Sequence, residues 1–246
     1  MTKIDPTIEA LKERGWQEVA AINQALAEGQ IDEAGWHEAM AGYIKPSYLA
    51  AESPYAQAGH GGDAATWEAT RGFIAEALDR SGSFLDAGCA NGILLESVFR
   101  WGAARGLVIE PYGLDIVPEF VERARQRLSQ WANRFHVGNI RDWQPPGERF
   151  DYVLIRPEYA PLRHRAAMAR HVLDSVVKPD GRLLVLAGTE EIGLKRAELD
   201  ITAGGICVTG RVEIPHNRDG RLVRRLFWID GEERDGVERQ NLYTTQ

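Results

Sequence analysis

The sequence predicts an α/β fold: a mostly parallel, doubly wound sheet with a helical extension in front of it. Three observations carry this. From Ser83 onward, short apolar runs alternate with amphipathic helical stretches, the order that builds parallel strands through crossover helices. The last two β-type runs, "GICVTGRVEI" and "RLVRRLFWI", flank the turn-rich "PHNRDG" and read as a hairpin that adds an antiparallel edge. The first sixty residues hold helix patterns and no strand pattern.

The elements follow in order. "DPTIEALKERGWQEVAAINQALAEG" has an acid and a proline at its start and a glycine at its end, both helix-boundary signals. "IDEAGWHEAMAGYI" is a second, weaker helix expected to stop before Pro46. "SPYAQAGHGGD" is a loop of small residues, and "AATWEATRGFIAEALD" is a third helix with Asp63 as its N-cap. Then come "SFLDAG" (strand), "NGILLESVFRWGAA" (helix), "VIEPYGLDI" (strand) and "VPEFVERARQRLSQWA" (helix). "RFHVGNI" and "RFDYVLIR" are strands, "PLRHRAAMARHVLDSVV" is a helix stopped by a "KPDG" turn, "RLLVLAG" is a buried strand, and "TEEIGLKRAELD" is a helix. Ligands of such sheets bind at the carboxyl ends of the strands. The loops after Leu85, Leu114, Val137 and Ile155 are therefore expected around one crevice.

Composition narrows the classes of function. The chain of 246 residues has a net charge of −7, which argues against a broad nucleic-acid surface. Its N-terminus is charged throughout, with no apolar signal core, and its apolar runs are too short for a membrane span. A cytoplasmic protein is expected. Cys89 and Cys207 show no zinc spacing, so both are expected to be small buried residues, and no metal site is expected.

The stretch "FLDAGCANGI" sets Asp86-x-Gly88-x-Ala90-x-Gly92 between a strand and a helix. A P-loop would need Gly-Lys-Ser/Thr, and the dinucleotide fingerprint needs G-x-G-x-x-G. Neither is present. An acid two places before the first glycine is awkward for pyrophosphate and suits an ammonium or sulfonium group. A second acid, Asp115 in "YGLDI", stands where a carboxylate can accept from both ribose hydroxyls.

These stretches resemble the motifs of class I S-adenosylmethionine-dependent methyltransferases. "FLDAGCANG" is similar to their first motif, (D/E)xGxGxG, and "YGLDI" to their second. "HVGNIRDWQPPGERFDYVLI" and "VLDSVVKPDGRLLVL" resemble the stretches over the third to fifth strands. The resemblance implies a Rossmann-like seven-stranded sheet whose antiparallel last strand lies beside the fifth. It implies S-adenosylmethionine as cofactor, with Asp86, Gly88, Cys89 and Ala90 along the methionine part and Asp115 at the ribose. Ile116, Asn139 and Ile140 would meet the adenine, and Arg156 would face the transferred methyl. Ala90 departs from the usual middle glycine, Asn139 from a common aspartate, and "RPEY" from the "NPPY" of amino-group methyltransferases, which argues against adenine or glutamine N-methylation. The expected segments are a cap or lid over residues 1–60, the methyltransferase domain over 61–230 and a polar tail over 231–246.

The acceptor is expected to be a small molecule or peptide, and the oligomeric state stays open. His60, Glu158 and Tyr159 are weak candidates for a general base. His60, with Tyr55 and Gln57, is either a lid element or a turn, and Glu158, Tyr159 and His164 compete with a plain surface reading. His37, His136, His171 and His216 are expected to be structural or exposed. Trp16, Trp36, Trp67, Trp101, Trp131 and Trp143 read as helix-packing or surface anchors. Arg211, Arg218, Arg221, Arg224 and Arg225 read as a solvated edge hairpin, with a surface for an anionic partner as the alternative. Two other functions stay open: a non-catalytic S-adenosylmethionine-binding module and a nicotinamide-dependent oxidoreductase.

Overall fold

The structure, a computed structural model, describes residues 6–216 and 219–231, with side chains from residue 15 onward. Seven strands form one sheet: β1 (Gly82–Ala87), β2 (Ile109–Asp115), β3 (Phe135–Val137), β4 (Phe150–Ile155), β5 (Val177–Glu191), β6 (Gly210–Pro215) and β7 (Leu222–Asp230). Their order is β3-β2-β1-β4-β5-β7-β6. The first five run parallel, and β7 inserts antiparallel beside β5. This is the expected seven-stranded, Rossmann-like sheet. The polar tail expected over 231–246 lies, apart from Gly231, outside the described residues, as does Arg218.

Both faces of the sheet are covered, which is why its strands read as continuous apolar runs. All six residues of β4 are buried. Alternation along β4 sends Val153 and Ile155 into the core packed on α6 (Arg165–Ser175) and α7 (Arg196–Thr202). Tyr152 and Leu154 enter the opposite core, under α4 (Ile93–Ala104) and α5 (Pro118–Arg127).

Three further helices precede the sheet: α1 (Pro6–Ala27), α2 (Glu33–Ala50) and α3 (Ala64–Arg71). Asp63 caps α3 as expected, accepting from the Thr66 amide at 2.8 Å. The second helix does not stop before Pro46; it runs through it to Ala50. Tertiary contacts outweigh the proline here. Ser47 Oγ donates to the Ile44 carbonyl at 2.8 Å, and the Arg123 guanidinium donates to the Tyr48 and Leu49 carbonyls at the helix end.

Other boundaries differ too. "KPDG" is not a turn between helix and strand. β5 already pairs at Val177, and the extra residues are absorbed as an irregularity opposite Phe150 and Tyr152. "TEEIG" is not helical, because β5 stays paired with β7 out to Glu191. The reason is an ion cluster around one buried cation. Arg225, 0 % exposed, pairs with Glu213 at 2.7 Å and with Glu190, whose other oxygen accepts from the Ala197 amide at 2.8 Å and so starts α7 late. Arg225 is therefore no part of a solvated hairpin face. Cys89 is buried as expected, whereas Cys207 is exposed.

Candidate functional site

The carboxyl ends of β1, β2, β4 and β5 open onto one cavity of about 290 Å³. Its floor begins with the loop after β1. Gly88 has φ +75°, a left-handed conformation, and a Cβ there would overlap the Tyr159 hydroxyl. Ala90 is also left-handed, at φ +46°. The loop is tied to the end of β2, since Gly88 and Cys89 donate their amides to the Leu114 carbonyl at 2.7 and 3.0 Å.

Two carboxylates stand at the strand ends. Asp86 is 3 % exposed and Asp115 6 %. Burial pushes Asp86 up to about 8; the neighbouring Asp115 adds to this, and Arg156 partly offsets it. Burial also lifts Asp115, to about 6, although the Val117, Ala90 and Ile116 amides favour its charged form. Asp115 accepts from the Ala90 and Val117 amides, each at 2.9 Å, so it fixes the loop while facing the cavity. Burial pushes the Cys89 thiol upward, consistent with a packing role.

The loop after β4 supplies Arg156, Glu158 and Tyr159. Arg156 Nε donates to Glu158 Oε1 at 2.6 Å. Burial pulls Glu158 upward, but the Arg156 charge, hydrogen bonds from its own amide and from Arg156, and the Arg165 charge together hold the carboxyl below its ordinary range. Burial raises Tyr159 and Tyr48, so both hydroxyls stay protonated. A second cation, Arg71 at the end of α3, also lines the cavity. It donates to the Thr70 carbonyl at 3.0 Å and lies 5.5 Å from the Trp67 ring centre. Among the described residues no carboxylate lies within ion-pair distance of it. Burial lowers it to about 10, helped by the charges of Arg156 and Arg224.

The roof is α2. Trp36, Met40, Ile44 and Tyr48, four residues apart on one helix face, line the cavity together with His37. Ties reach this roof, or the segment just behind it, from the segments that follow β1, β2, β3 and β4. Asn91 Nδ2, after β1, donates to the Pro54 carbonyl at 2.9 Å and to Gln57 Oε1 at 3.0 Å, in the segment that follows α2. Tyr48 stacks on Phe120 of α5, and Lys45 pairs with Glu119 at 2.6 Å. Arg141, after β3, and His164, after β4, both meet Glu33, each at 2.7 Å.

The cavity thus gathers Asp86, Gly88, Cys89, Ala90, Asp115, Ile116, Asn139, Ile140 and Arg156, all nine residues expected at a cofactor, and also Glu158 and Tyr159. It leaves out His60, which sits edge-on to Trp67 at 5.4 Å, while its neighbours Ala58 and Gly59 line the wall. His164 is also outside the cavity lining, with its Nδ1 2.7 Å from Glu33 Oε2. Trp36, Trp67 and His37 are not mere packing or surface groups, because each lines the cavity. Sequence reasoning missed these and Arg71. The four-residue spacing from Trp36 to Tyr48 was the available signal.

Residues 84–181 match the model of a family described as a methyltransferase domain. Over those residues the chain is similar to a methyltransferase domain, and its seven-stranded sheet is the Rossmann-like fold of such domains. No curated protein matches it. Among solved structures, it is similar to the N-methyltransferase NodS from Bradyrhizobium japonicum WM9 in complex with S-adenosyl-L-homocysteine. That likeness has 15 % identity and a TM-score of 0.57 over 76 % of this chain and 95 % of that one. The PH0226 protein from Pyrococcus horikoshii OT3 is similar at 16 % identity and a TM-score of 0.51, over 75 % of this chain and 96 % of that one. At such identities the likeness speaks for the fold. The methyltransferase domain implies S-adenosylmethionine as the cofactor. No helix among the described residues is long and apolar enough to cross a membrane.

Proposed function

We propose that this methyltransferase moves the methyl group of S-adenosylmethionine to a small-molecule or short-peptide acceptor held beneath the α2 roof. One observation carries the reading: two buried carboxylates flank a left-handed glycine loop and face one cavity. Such a pair costs free energy unless a cation and hydrogen-bond donors meet it. A ligand with an ammonium, a sulfonium and ribose hydroxyls supplies both, so the residues present fit the cofactor.

When bound, S-adenosylmethionine supplies a methyl group already activated by its sulfonium. Asp86 holds the ammonium, and Asp115 accepts from the ribose hydroxyls with the lone pairs that Ala90 and Val117 leave unused. Gly88, Cys89 and Ala90 run along the methionine part. Arg71, which forms no ion pair among the described residues, takes the carboxylate end. Ile116 and Ile140 pack on the adenine. Asn139, whose Oδ1 already accepts from the Arg141 amide at 3.1 Å, accepts from the adenine amino group without a charge. Arg156 and Tyr159 bound the space beside the methyl.

None of the three bases named from the sequence is ready to act. Glu158 is charged and bound to Arg156, Tyr159 keeps its proton, and His60 is outside the cavity wall. The chain therefore works by holding the acceptor in line with the methyl–sulfur bond and excluding water. Residues 1–60 act as the cap, and the apolar face of α2 favours an acceptor small enough to be enclosed.

The test is calorimetric titration with S-adenosylmethionine, S-adenosylhomocysteine and a nicotinamide dinucleotide, then mass spectrometry for S-adenosylhomocysteine formed with a panel of acceptors. Binding of the first two and turnover with a small acceptor are expected. Binding without turnover across the panel would favour a non-catalytic module, and binding of the nicotinamide cofactor alone would overturn the reading.

A further inference from the structure

We propose that Glu33 is a positioning residue, a latch that closes α2 over the cavity and sets the loops after β3 and β4 in their working places. The proposal rests on the reading that the cavity takes S-adenosylmethionine.

The position of Glu33 is the first argument. It is the first residue of α2, at an end fixed by Asp32, whose side chain accepts from the Gly35 amide at 2.8 Å. Its side chain is only 12 % exposed and meets a guanidinium and an imidazole from two different loops. Oε1 lies 2.7 Å from Arg141 Nε, and Oε2 lies 2.7 Å from His164 Nδ1. A single carboxylate therefore joins the roof to both sides of the crevice.

Each partner leads on to residues that line the cavity. The Arg141 amide donates to Asn139 Oδ1 at 3.1 Å, so Arg141 sets the loop that presents Asn139 and Ile140. His164 closes the short helical turn Leu162–His164, which follows the turn Pro157–Tyr159 carrying Glu158 and Tyr159. Pulling on Glu33 acts on the loop at the adenine and on the loop beside the methyl together.

The latch is also imperfectly satisfied. Glu33 Oε1 is buried and, despite the short distance to Arg141, has no aligned hydrogen bond. His37 Nε2, 3.9 Å away, is buried without a hydrogen-bond partner as well. Charge attraction rather than a saturated network holds this end, and a buried polar group left unpaired weakens closure. The other end of α2 is tied differently. There Arg123 donates to two backbone carbonyls, at 3.1 and 2.8 Å, while the Lys45–Glu119 pair is 39 % and 48 % exposed and contributes little. Release at Glu33 swings the Trp36–Met40 end away from the cavity and leaves the Arg123 end as the pivot.

The experiment is stopped-flow release of preloaded S-adenosylhomocysteine from the full chain, wild type against Glu33→Gln. Release should speed up by roughly tenfold or more, the change expected when a charge-assisted tie is lost. Lys45→Met should leave it unchanged. Arg141→Met should add little once Glu33 is replaced, and Glu33→Asp, which keeps the charge, should restore part of the slow release. In hydrogen exchange, Glu33→Gln should expose the amides of 34–44 more than those of 45–50. A folded Glu33→Gln protein with unchanged release and exchange would overturn the latch. Should Glu33→Gln not fold, Glu33→Asp and Arg141→Met carry the same test. A wild type that binds no S-adenosylhomocysteine would instead overturn the reading of the cavity, and the latch with it.

Discussion

The floor and the roof of the cavity are built by different means. The floor is backbone: Gly88 and Cys89 bond to the end of β2, and Asp115 is fixed by two amides. The roof is a helix face attached to that floor largely by side chains, through Glu33, Arg123 and Asn91. A site set in the sheet keeps its geometry when the ligand leaves. A roof on side-chain ties can open, and its free energy of opening lies below that of the sheet. The floor is where affinity and identity of the cofactor should reside, and the roof is where exchange and acceptor choice should reside.

The largest expected effect breaks the two apart. A chain lacking residues 1–58 should keep the sheet, bind S-adenosylmethionine more weakly and lose methyl transfer, because the acceptor wall and the barrier to water go with α2. Circular dichroism and a turnover assay check this, and undiminished turnover would end the idea of a working roof. Next comes the floor. Asp115→Ala should weaken S-adenosylmethionine and S-adenosylhomocysteine alike by roughly ten- to a hundredfold, since hydrogen bonds to a charged group contribute ~1.5–3 kcal/mol. Asp115→Asn should cost less, because one acceptor oxygen survives. Unchanged affinity in a folded Asp115→Ala protein would remove this acid from the ribose. The smallest effect sharpens the comparison. Ala90 sits at φ +46°, where a Cβ costs roughly 1–2 kcal/mol, so Ala90→Gly should raise the unfolding free energy by about 1 kcal/mol in denaturant titrations. No gain would mean that the loop strain is relieved elsewhere.

The same division explains what the sequence made legible. The floor is written in contiguous motifs: an acid, a glycine turn and a second acid after the next strand, each with a chemical reason for its spacing. The resemblance to methyltransferase motifs implied the remaining positions, and all nine expected cofactor residues line the cavity. The roof depends on which way a helix face turns, and that is set by contacts far along the chain. Trp36 and Trp67 could have packed on either side of their helices, and Pro46 misleads because Arg123, on another element, secures the helix end beyond it. Arg71 looks like an ordinary helix-end cation until it is seen lining the cavity with no ion pair among the described residues. Arg225 is a related case: alternation along a charged hairpin suggested solvent, but its side chain is buried and meets Glu190 and Glu213. In each case the missing information was a partner, not a propensity.

The central claim is that a cationic ligand meets the buried acids of the floor, and proton counting tests it most directly. Burial holds Asp86 at about 8 in the cofactor-free protein, so at pH 7 most of it carries a proton; Asp115, at about 6, is mostly charged. Because both are raised above their unfolded values, their contribution to stability is full at acid pH and is lost as pH rises through about 6 and then about 8. A bound ammonium and sulfonium favour the charged carboxylate and should expel the proton from Asp86. Calorimetric titration with S-adenosylmethionine at pH 7, in buffers of different ionisation enthalpy, should therefore show release of roughly one proton per cofactor bound. The release should largely vanish in Asp86→Asn. Binding of S-adenosylmethionine to the wild type with no proton released would contradict the account.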